Sequence, residues 1–356
     1  MRAWCHVSPH EPCRICDKPD WCSVSADGTW ALCRRLDTGA GIHKVDKTGA
    51  DYWLYRLNGH VPCRQSLIEL PVQPHIKRAN SVTLDGVYRA LLAALPLSSM
   101  HRQALRQRGL SDSEMVRRGY RTLPAHGRAT RARQVVDEFG AEICAAIPGL
   151  HLGARGSQRW WSLAGAVGLL IPVRDMDGRI VALKVRADEP GEGHKYTYLS
   201  STKYGGPGPS APVHVPLHAL SPEAPMRLTE GELKADIASV LSGVLTIAVP
   251  GVTFWRQALP ILEALQPTRV LLAFDSDWRQ KPHVARALAQ ATQALVEAGY
   301  TVAVETWDAS HGKGIDDVLA AGYTPALQST VPWLHRARTL PEKSGGRPSP
   351  IVVEVR

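Results

Sequence analysis

The feature that most restricts the fold of this chain is an alternation of short apolar segments and amphipathic segments that begins at Met226. The apolar segments have the lengths of strands and read MRLT, LTIAV, RVLLAF and YTVAVET. Helix-like stretches follow them, including ELKADIASVLSG and HVARALAQATQALVEAG. Strands that alternate with helices in this way form a parallel sheet with helices on its faces. We therefore predict an α/β domain over residues 221–335.

Acidic residues follow the strands of this domain. Glu230 comes just after MRLT, Asp275 and Asp277 come just after RVLLAF, and Asp316 and Asp317 follow in HGKGIDD. In an open parallel sheet the functional crevice lies beyond the carboxyl ends of the strands, so we expect these acids to converge there. Converging carboxylates repel one another unless cations bind them, and hard oxygen ligands favour Mg²⁺ or Mn²⁺. Helix capping is the alternative, and it accounts for one of these acids but not for the group.

A cluster of cysteines predicts a zinc ribbon over residues 1–37. Cys13 and Cys16 form a C-x-x-C knuckle, and Cys22 and Cys33 follow. The Asp-Gly dipeptide midway between the last two favours a tight hairpin turn, which places Cys22 opposite Cys33. Four thiolates arranged in this way suit a tetrahedral Zn²⁺ site.

Other ligand sets stay open, because the second pair of cysteines does not have C-x-x-C spacing. Three residues nearby are competing ligands: Cys5, His6 and His10. His10 is the specific alternative to Cys22. Reduced cysteines without a metal are a further alternative, although a dense cluster in a reducing compartment favours metal.

The other divisions of the chain are marked by composition. Residues 38–81 have the character of a linker with some structure, and DYWLYRL at 51–57 has a strand-like composition. Residues 82–220 begin with helical signals and later contain GLLIPVRDMDGRIVALKVR, in which Asp177-Gly178 predicts a hairpin turn. Residues 336–356 are expected to form a flexible tail.

The charge and hydropathy of the chain limit its partners. The formal net charge is +9, which favours a polyanionic partner such as nucleic acid. No apolar run reaches the roughly 18–20 residues that span a bilayer, so we expect a cytoplasmic protein without a membrane partner.

The acidic pattern resembles the TOPRIM domain of topoisomerases, primases and some nucleases, in which a Glu after the first strand and a D-x-D after a later strand bind catalytic metal. Upstream, GLLIPVRDMDGRIVALKVRAD and HKYTYLSS look like a segment of bacterial-type primases, with P-x-R-D, a D-x-G-R turn and K-Y-x-x-S. The segment ALRQRGLSDSEMVRRGY looks like the helical entry to the same catalytic core. The resemblance covers most of residues 1–325 and is nearest to primases of phages, plasmids and integrated elements.

The resemblance implies a DNA primase that synthesises short primers on single-stranded DNA from nucleoside triphosphates by two-metal nucleotidyl transfer. It makes Glu230, Asp275 and Asp277 ligands of Mg²⁺ or Mn²⁺, with Glu230 also a candidate general acid/base and Asp316 completing the site. It implies nucleotide- or template-binding roles for six further residues: Arg174, Arg186, Lys195, Tyr196, Lys234 and Lys313. Any replicative helicase would act in trans, since a C-terminal helicase region is missing.

Two positions depart from the resemblance. Bacterial primases often carry an acid where this chain has Lys234, and the first acid of their late D-x-D is Gly314 here. The number of bound metal ions is therefore left open.

Two other functions are compatible with the same residues. A TOPRIM nuclease would use the same acids, whereas a topoisomerase would need a nucleophilic tyrosine in a separate large domain, which nothing beyond Tyr323 supplies. The non-enzymatic alternative is a replication protein that binds single-stranded DNA through an inert core.

Overall fold

The computed structural model describes residues 4–8, 10–19, 21–35, 38, 41–45, 51–57, 76–155, 157–191, 194–218 and 224–329. The expected tail at 336–356 and much of the expected linker at 38–81 lie outside these residues. Within the described part of the chain, no helix has the length and apolarity needed to cross a membrane.

Residues 4–57 contain an antiparallel sheet that we call the cysteine module. Its strands are β1 (Trp4–His6), β2 (Ser23–Ser25), β3 (Trp30–Cys33), β4 (Ile42–Val45) and β5 (Asp51–Arg56), in the order β1-β2-β3-β5-β4. The last two strands fall inside the stretch assigned from sequence to a linker, yet β5 pairs directly with β3. The sheet therefore continues past residue 37, and we propose to place the end of the module after Leu57. The strand expected over 51–57 is confirmed by β5.

Residues 76–218 form the middle domain, in which helices pack on both faces of a four-stranded sheet. Its elements are α1 (Ser81–Ala93), α2 (Ser99–Gln107), α3 (Asp112–Arg118), β6 (Arg121–Leu123), α4 (Arg128–Phe139), α5 (Ala141–Ala145), β7 (Leu150–Arg155), β8 (Gln158–Leu163), β9 (Gly168–Arg174), β10 (Ile180–Ala187) and β11 (Tyr196–Tyr198). The sheet order is β11-β10-β9-β6, while β7 and β8 pair as a separate hairpin. Leu170 faces a core built on α1 and α4, and Leu169 and Ile171 face a core built on α2 and α3. The predicted hairpin turn is confirmed between β9 and β10, where Gly178 has a φ of +74°.

Residues 224–329 form the acidic domain, a sheet with helices on both faces. Its elements are β12 (Met226–Glu230), α6 (Glu232–Ser242), β13 (Thr246–Val249), α7 (Leu259–Leu265), β14 (Val270–Leu272), α8 (Pro282–Glu297), β15 (Val302–Thr306), α9 (Ile315–Ala320) and β16 (Ala326–Ser329). The order is β13-β12-β14-β15-β16, and all pairs are parallel except β15–β16. The parallel sheet with flanking helices is thus confirmed, and β16 adds an antiparallel edge strand that the sequence pattern did not indicate.

Helix α6 belongs to two cores at once. Ala238 packs in a cluster with Ile315 and Val318 of α9 inside the acidic domain. Leu233 and Ile237 pack instead against residues of α2, α3 and β9 in the middle domain. Because α6 directly follows Glu230, this shared packing fixes the carboxyl end of β12 against the middle domain.

Candidate active site and metal centre

Four cysteine side chains of the cysteine module meet at one point. The Sγ atoms of Cys13, Cys16, Cys22 and Cys33 all lie within 4.8 Å of one another. The sulfurs of Cys16 and Cys22 are 3.7 Å apart, and those of Cys22 and Cys33 are 3.9 Å apart. In a tetrahedron with Zn–S bonds of about 2.3 Å, sulfur atoms lie roughly 3.8 Å apart. The donor set and its dimensions therefore fit a structural zinc ion.

Two local turns assemble this cluster. The backbone N–H of Asp17 donates to the carbonyl of Cys13 at 2.7 Å and closes the knuckle. The register of the β2–β3 hairpin, carried one residue outward, places Cys22 opposite Cys33. Gly28 in its turn has a φ of +69°, a conformation that glycine adopts without strain. The hairpin predicted from the Asp-Gly dipeptide is confirmed.

The competing ligands lie elsewhere in the module. His10 is exposed and is not part of the sulfur cluster, so Cys22 and not His10 is its fourth member. Cys5 pairs with Val24 across the β1–β2 ladder, and the Nδ1 of His6 lies 3.3 Å from the hydroxyl of Ser23.

The predicted acids of the acidic domain lie at one edge of its sheet. Glu230 ends β12, Asp275 and Asp277 follow β14, and Asp316 lies in the first turn of α9. Desolvation raises the pKa of Glu230 against the opposing charge of Lys234, and the nearby charge of Asp275 adds to the rise. Among the described residues, however, these acids do not form a second group whose ligand atoms all lie as close as the four sulfurs.

Lysine side chains lie between these carboxylates. The Nζ of Lys234 contacts Oδ1 of Asp275, and the Nζ of Lys313 lies 3.0 Å from Oδ2 of the same residue. Lys313 is also 3.4 Å from Asp277, and Lys281 donates to Asp277 at 2.6 Å. Although desolvation opposes the shift, the hydrogen bond from Lys281 and the charge of Lys313 lower the pKa of Asp277.

Asp316 is tied to the middle domain. Its Oδ2 accepts a hydrogen bond from Arg108, which directly follows α2. Its Oδ1 is buried without a hydrogen-bond partner in the described structure. Desolvation raises the pKa of Asp316 against the opposing charge of Arg108. The sequence reasoning missed Arg108, and its separation of 208 residues from Asp316 leaves no local signal for the pair.

A second missed group lies beside Glu230. Glu232 is buried at the start of α6, and both of its oxygens accept hydrogen bonds from the Nζ of Lys184, at 2.9 and 2.7 Å. The hydroxyl of Tyr198 donates to the same carboxylate at 2.6 Å. The pair lies two residues from the acidic site and ties β10 and β11 to α6.

The predicted basic and aromatic residues of the middle domain separate into two groups. Arg174 is buried, and its guanidinium donates to the carbonyls of Gly178 and Arg118 rather than facing the cleft described below. Tyr196 is partly exposed and lines that cleft. Lys195 is exposed beside it, and Arg186 lies opposite Tyr196 on β10.

One cleft of 640 Å³ brings all three regions together. The cysteine module contributes His6, Trp21 and Arg34. The middle domain contributes Arg108, Lys184 and Tyr196, and the acidic domain contributes Glu230, Lys234 and Phe254. Cationic, aromatic and acidic side chains therefore share a single concave surface.

Direct contacts hold the cysteine module against the acidic domain. Arg256 donates to the buried carboxylate of Asp51, which also lies 2.7 Å from the Nε2 of His43. The rings of Trp21 and Phe254 meet edge to face, with their centroids 6.4 Å apart. The module therefore forms one wall of the cleft.

Solved structures of bacterial primases resemble the chain. The zinc-binding and RNA polymerase domains of the Aquifex aeolicus primase superpose with a TM-score of 0.51 at 14% identity, over 70% of this chain and 63% of that one. The RNA polymerase domain of the Mycobacterium tuberculosis primase, bound to a double-stranded DNA oligomer with a 6-nucleotide overhang, gives 0.51 at 14%, over 73% and 85%. The E. coli primase catalytic core gives 0.50 at 16%, over 73% and 83%.

These likenesses establish the fold, which is that of the zinc-binding and catalytic domains of bacterial primases. The chain spans less than two thirds of the Aquifex aeolicus structure. A family described as "Domain of unknown function (DUF3854)" matches residues 218–324. None of the curated proteins matches this sequence.

Proposed function

We propose that this chain is a DNA primase that joins nucleotides on a single-stranded DNA template. The observation that carries the proposal is the shared cleft: Glu230, at the carboxyl end of a parallel strand, opens into a surface rich in cationic and aromatic side chains. Such a surface matches the phosphates and bases of nucleic acid, and the fold around it is that of primase catalytic domains. The matching folds make primer synthesis the first activity to test.

The acids supply the oxygen ligands of a catalytic divalent cation. Glu230, Asp275 and Asp277 would hold Mg²⁺ or Mn²⁺, which prefer carboxylate oxygen, and Asp316 would complete the site. The buried Oδ1 of Asp316, which has no hydrogen-bond partner, fits such a ligand. When bound, the cation would neutralise charge on the reacting phosphates.

The surrounding side chains position the reactants. Lys313 and Arg108 would hold the triphosphate of the incoming nucleotide, and Tyr196 would pack against it. The primer 3′-hydroxyl would attack the α-phosphate as pyrophosphate leaves. The proton of that hydroxyl would pass to Glu230 as general base, the role that the family resemblance gives this residue as the alternative to a metal ligand. The barrier would fall mainly through positioning and charge neutralisation.

The cysteine module would hold the template. Trp21 is half exposed on the cleft wall and has Arg35 5.1 Å from its ring centroid. Base–aromatic stacking and arginine contacts to phosphate are the usual means of holding single strands. A zinc ion would fix Trp21 in place by ordering the loop between Cys16 and Cys22.

Primer synthesis tests the proposal. Purified protein is given single-stranded DNA of mixed sequence, labelled nucleoside triphosphates and Mg²⁺ or Mn²⁺, alongside the Asp275→Ala/Asp277→Ala variant. The matched control is Asp137→Ala/Glu138→Ala, which removes two exposed acids from α4. We expect short labelled products from the wild type and the control, and none from the first variant.

Other outcomes point to the other functions. Metal-dependent cleavage of the DNA without labelled products would favour the nuclease. DNA binding without either reaction would indicate a replication protein with an inert core. We further propose that the chain serves the replication of a phage, plasmid or mobile element, and that any replicative helicase acts with it in trans.

A further inference from the structure

Two lysines contact the central acid of the site, but they are held very differently. Lys234 projects from α6 and is largely buried, whereas the side chain of Lys313 is 61% exposed on a loop. Both contact Asp275, one on each carboxylate oxygen. Lys313 can turn into solvent at little cost, whereas Lys234 cannot leave without moving its neighbours.

Gly314 shows how closely Lys234 is enclosed. A Cβ atom at position 314 would lie 3.1 Å from Cε and 3.2 Å from Cδ of Lys234. The same atom would lie 2.6 Å from Oδ1 of Asp316, a distance that Cβ atoms essentially never show. Any larger residue at 314 would therefore displace either the lysine stem or the acid. The stem of Lys234 therefore packs in space that is open because residue 314 is glycine.

The charges of the site are already partly balanced by this arrangement. Four cationic side chains, those of Lys234, Lys281, Lys313 and Arg108, face five carboxylates: Glu230, Asp275, Asp277, Asp316 and Asp317. With Lys313 turned away, two negative charges remain when all the groups are ionised, and one divalent cation balances them. Lys234 occupies one oxygen of Asp275, which leaves only the other oxygen of that carboxylate for a divalent cation.

We propose that the ammonium group of Lys234 is a built-in substitute for one divalent cation, so that the acidic site binds a single catalytic ion. This inference rests on the proposed function for the role of that ion. Lys234 is then a positioning residue, because it holds Asp275 and fills the charge deficit beside Glu230 and Asp316. The single ion binds on the side of Lys313, which moves aside for it.

Counting bound Mn²⁺ tests the proposal without any catalytic assay. The zinc-loaded full chain is titrated with Mn²⁺ in the absence of nucleotide, and free Mn²⁺ is followed by electron paramagnetic resonance. Binding that survives in Asp275→Ala/Asp277→Ala is subtracted as lying outside the site. We expect one Mn²⁺ per chain with the signal of an isolated ion.

The Lys234→Asp variant provides the second measurement. Replacing the ammonium by a carboxylate should raise the count from one to two. Two ions about 3.5–4 Å apart should also give a spin-coupled signal. Lys203→Asp is the matched control, since it makes the same change of charge at an exposed lysine in a short 3-10 helix of the middle domain. The control should keep one isolated ion.

Each result bears on the proposal by itself. Two spin-coupled ions in the wild type, or none, would overturn it even if Lys234→Asp fails to fold. A count of one in both the wild type and a folded Lys234→Asp would also overturn it. Failure of primer synthesis with one Mn²⁺ bound would reject the primase function and leave the single-ion site standing.

Discussion

The cysteine module and the acidic domain each bring several anionic ligand groups close together, but they differ in what surrounds those groups. The four sulfurs of the cysteine cluster lie within 4.8 Å of one another, and four thiolates at this spacing suit a bound zinc ion. The carboxylates of the acidic domain meet around Lys234, Lys313 and Arg108. From this difference we expect the cysteine cluster to need its ion in order to fold, whereas the carboxylates of the acidic domain are stabilised by the chain's own cationic side chains.

Removal of one sulfur from the cysteine cluster should have the largest effect on stability and should be confined to the cysteine module. We expect Cys33→Ser to lose the zinc ion, whose binding in small structural sites contributes about 10–16 kcal/mol to folding. Zinc content and hydrogen exchange should show a disordered cysteine module beside a protected acidic domain. Cys5→Ser, in the same module but outside the cluster, should keep its zinc. Equal loss of protection in both domains would contradict the contrast.

The acidic domain is also joined to the middle domain by buried ion pairs, and a substitution of Arg118 tests how much they stabilise the fold. This residue is buried and contacts Asp236 of α6 and Glu114 of α3. We expect Arg118→Ala to lower the free energy of unfolding of the middle and acidic domains by about 3–5 kcal/mol, because the buried carboxylate of Asp236 loses one of its partners. Denaturant unfolding measures this loss.

The matched control is the neighbouring arginine. Arg117 pairs with the same glutamate but is 48% exposed, so Arg117→Ala should cost less than about 1 kcal/mol. Both variants should keep one zinc ion. Zinc loss in Arg118→Ala would show that the stability of the cysteine module depends on that of the acidic domain.

Low pH should destabilise the packing of α6 through the carboxyl group of Asp236. Although desolvation opposes the shift, His214 and Arg118 lower the pKa of Asp236 to about 2. A carboxyl whose pKa is lower in the folded state stabilises the fold above its unfolded pKa and loses this effect as pH falls through the folded value. We expect about 2 kcal/mol to be lost between roughly pH 4 and pH 2. Asp236→Asn should flatten the curve of stability against pH in that window, and an unchanged slope would refute the assignment.

The smallest expected effect concerns what the cysteine module does once it is folded. Trp21→Ala should weaken binding of single-stranded DNA by about 1 kcal/mol, roughly fivefold, because one stacking surface is lost. Fluorescence anisotropy with a labelled oligonucleotide measures this. Trp4→Ala removes another partly exposed tryptophan of the same module, outside the cleft, and should leave affinity unchanged. Equal losses of affinity in both variants would contradict the proposal that this wall of the cleft contacts the template.

The local parts of this molecule were the parts that the sequence could predict. The hairpin between Cys22 and Cys33 depends on an Asp-Gly turn, and the order of strands and helices after Met226 depends on patterns within single segments. The acids could be placed at one edge because parallel strands end at the same side of a sheet.

Residues that act through distant partners could not be predicted. Nothing within its own segment distinguishes Arg174, which binds buried carbonyls, from a residue that faces the cleft. The partner of Glu232 is Lys184, which lies 48 residues away, and a sequence pattern does not pair them. The lysine at position 234 is visible in the sequence as a departure from the family pattern, but its packing against Gly314 depends on tertiary structure.

The packing of helix α6 also has a consequence for other proteins that contain the matched family segment. The matched family segment, 218–324, includes α6 but omits the helices α2 and α3 that cover Leu233 and Ile237. Cut out at those limits, the segment would expose that apolar stripe to water. Any other protein that carries this segment must supply an equivalent cover, from its own chain or from a companion. Across such proteins, positions 233 and 237 should co-vary with the covering surface rather than with the sheet of their own domain.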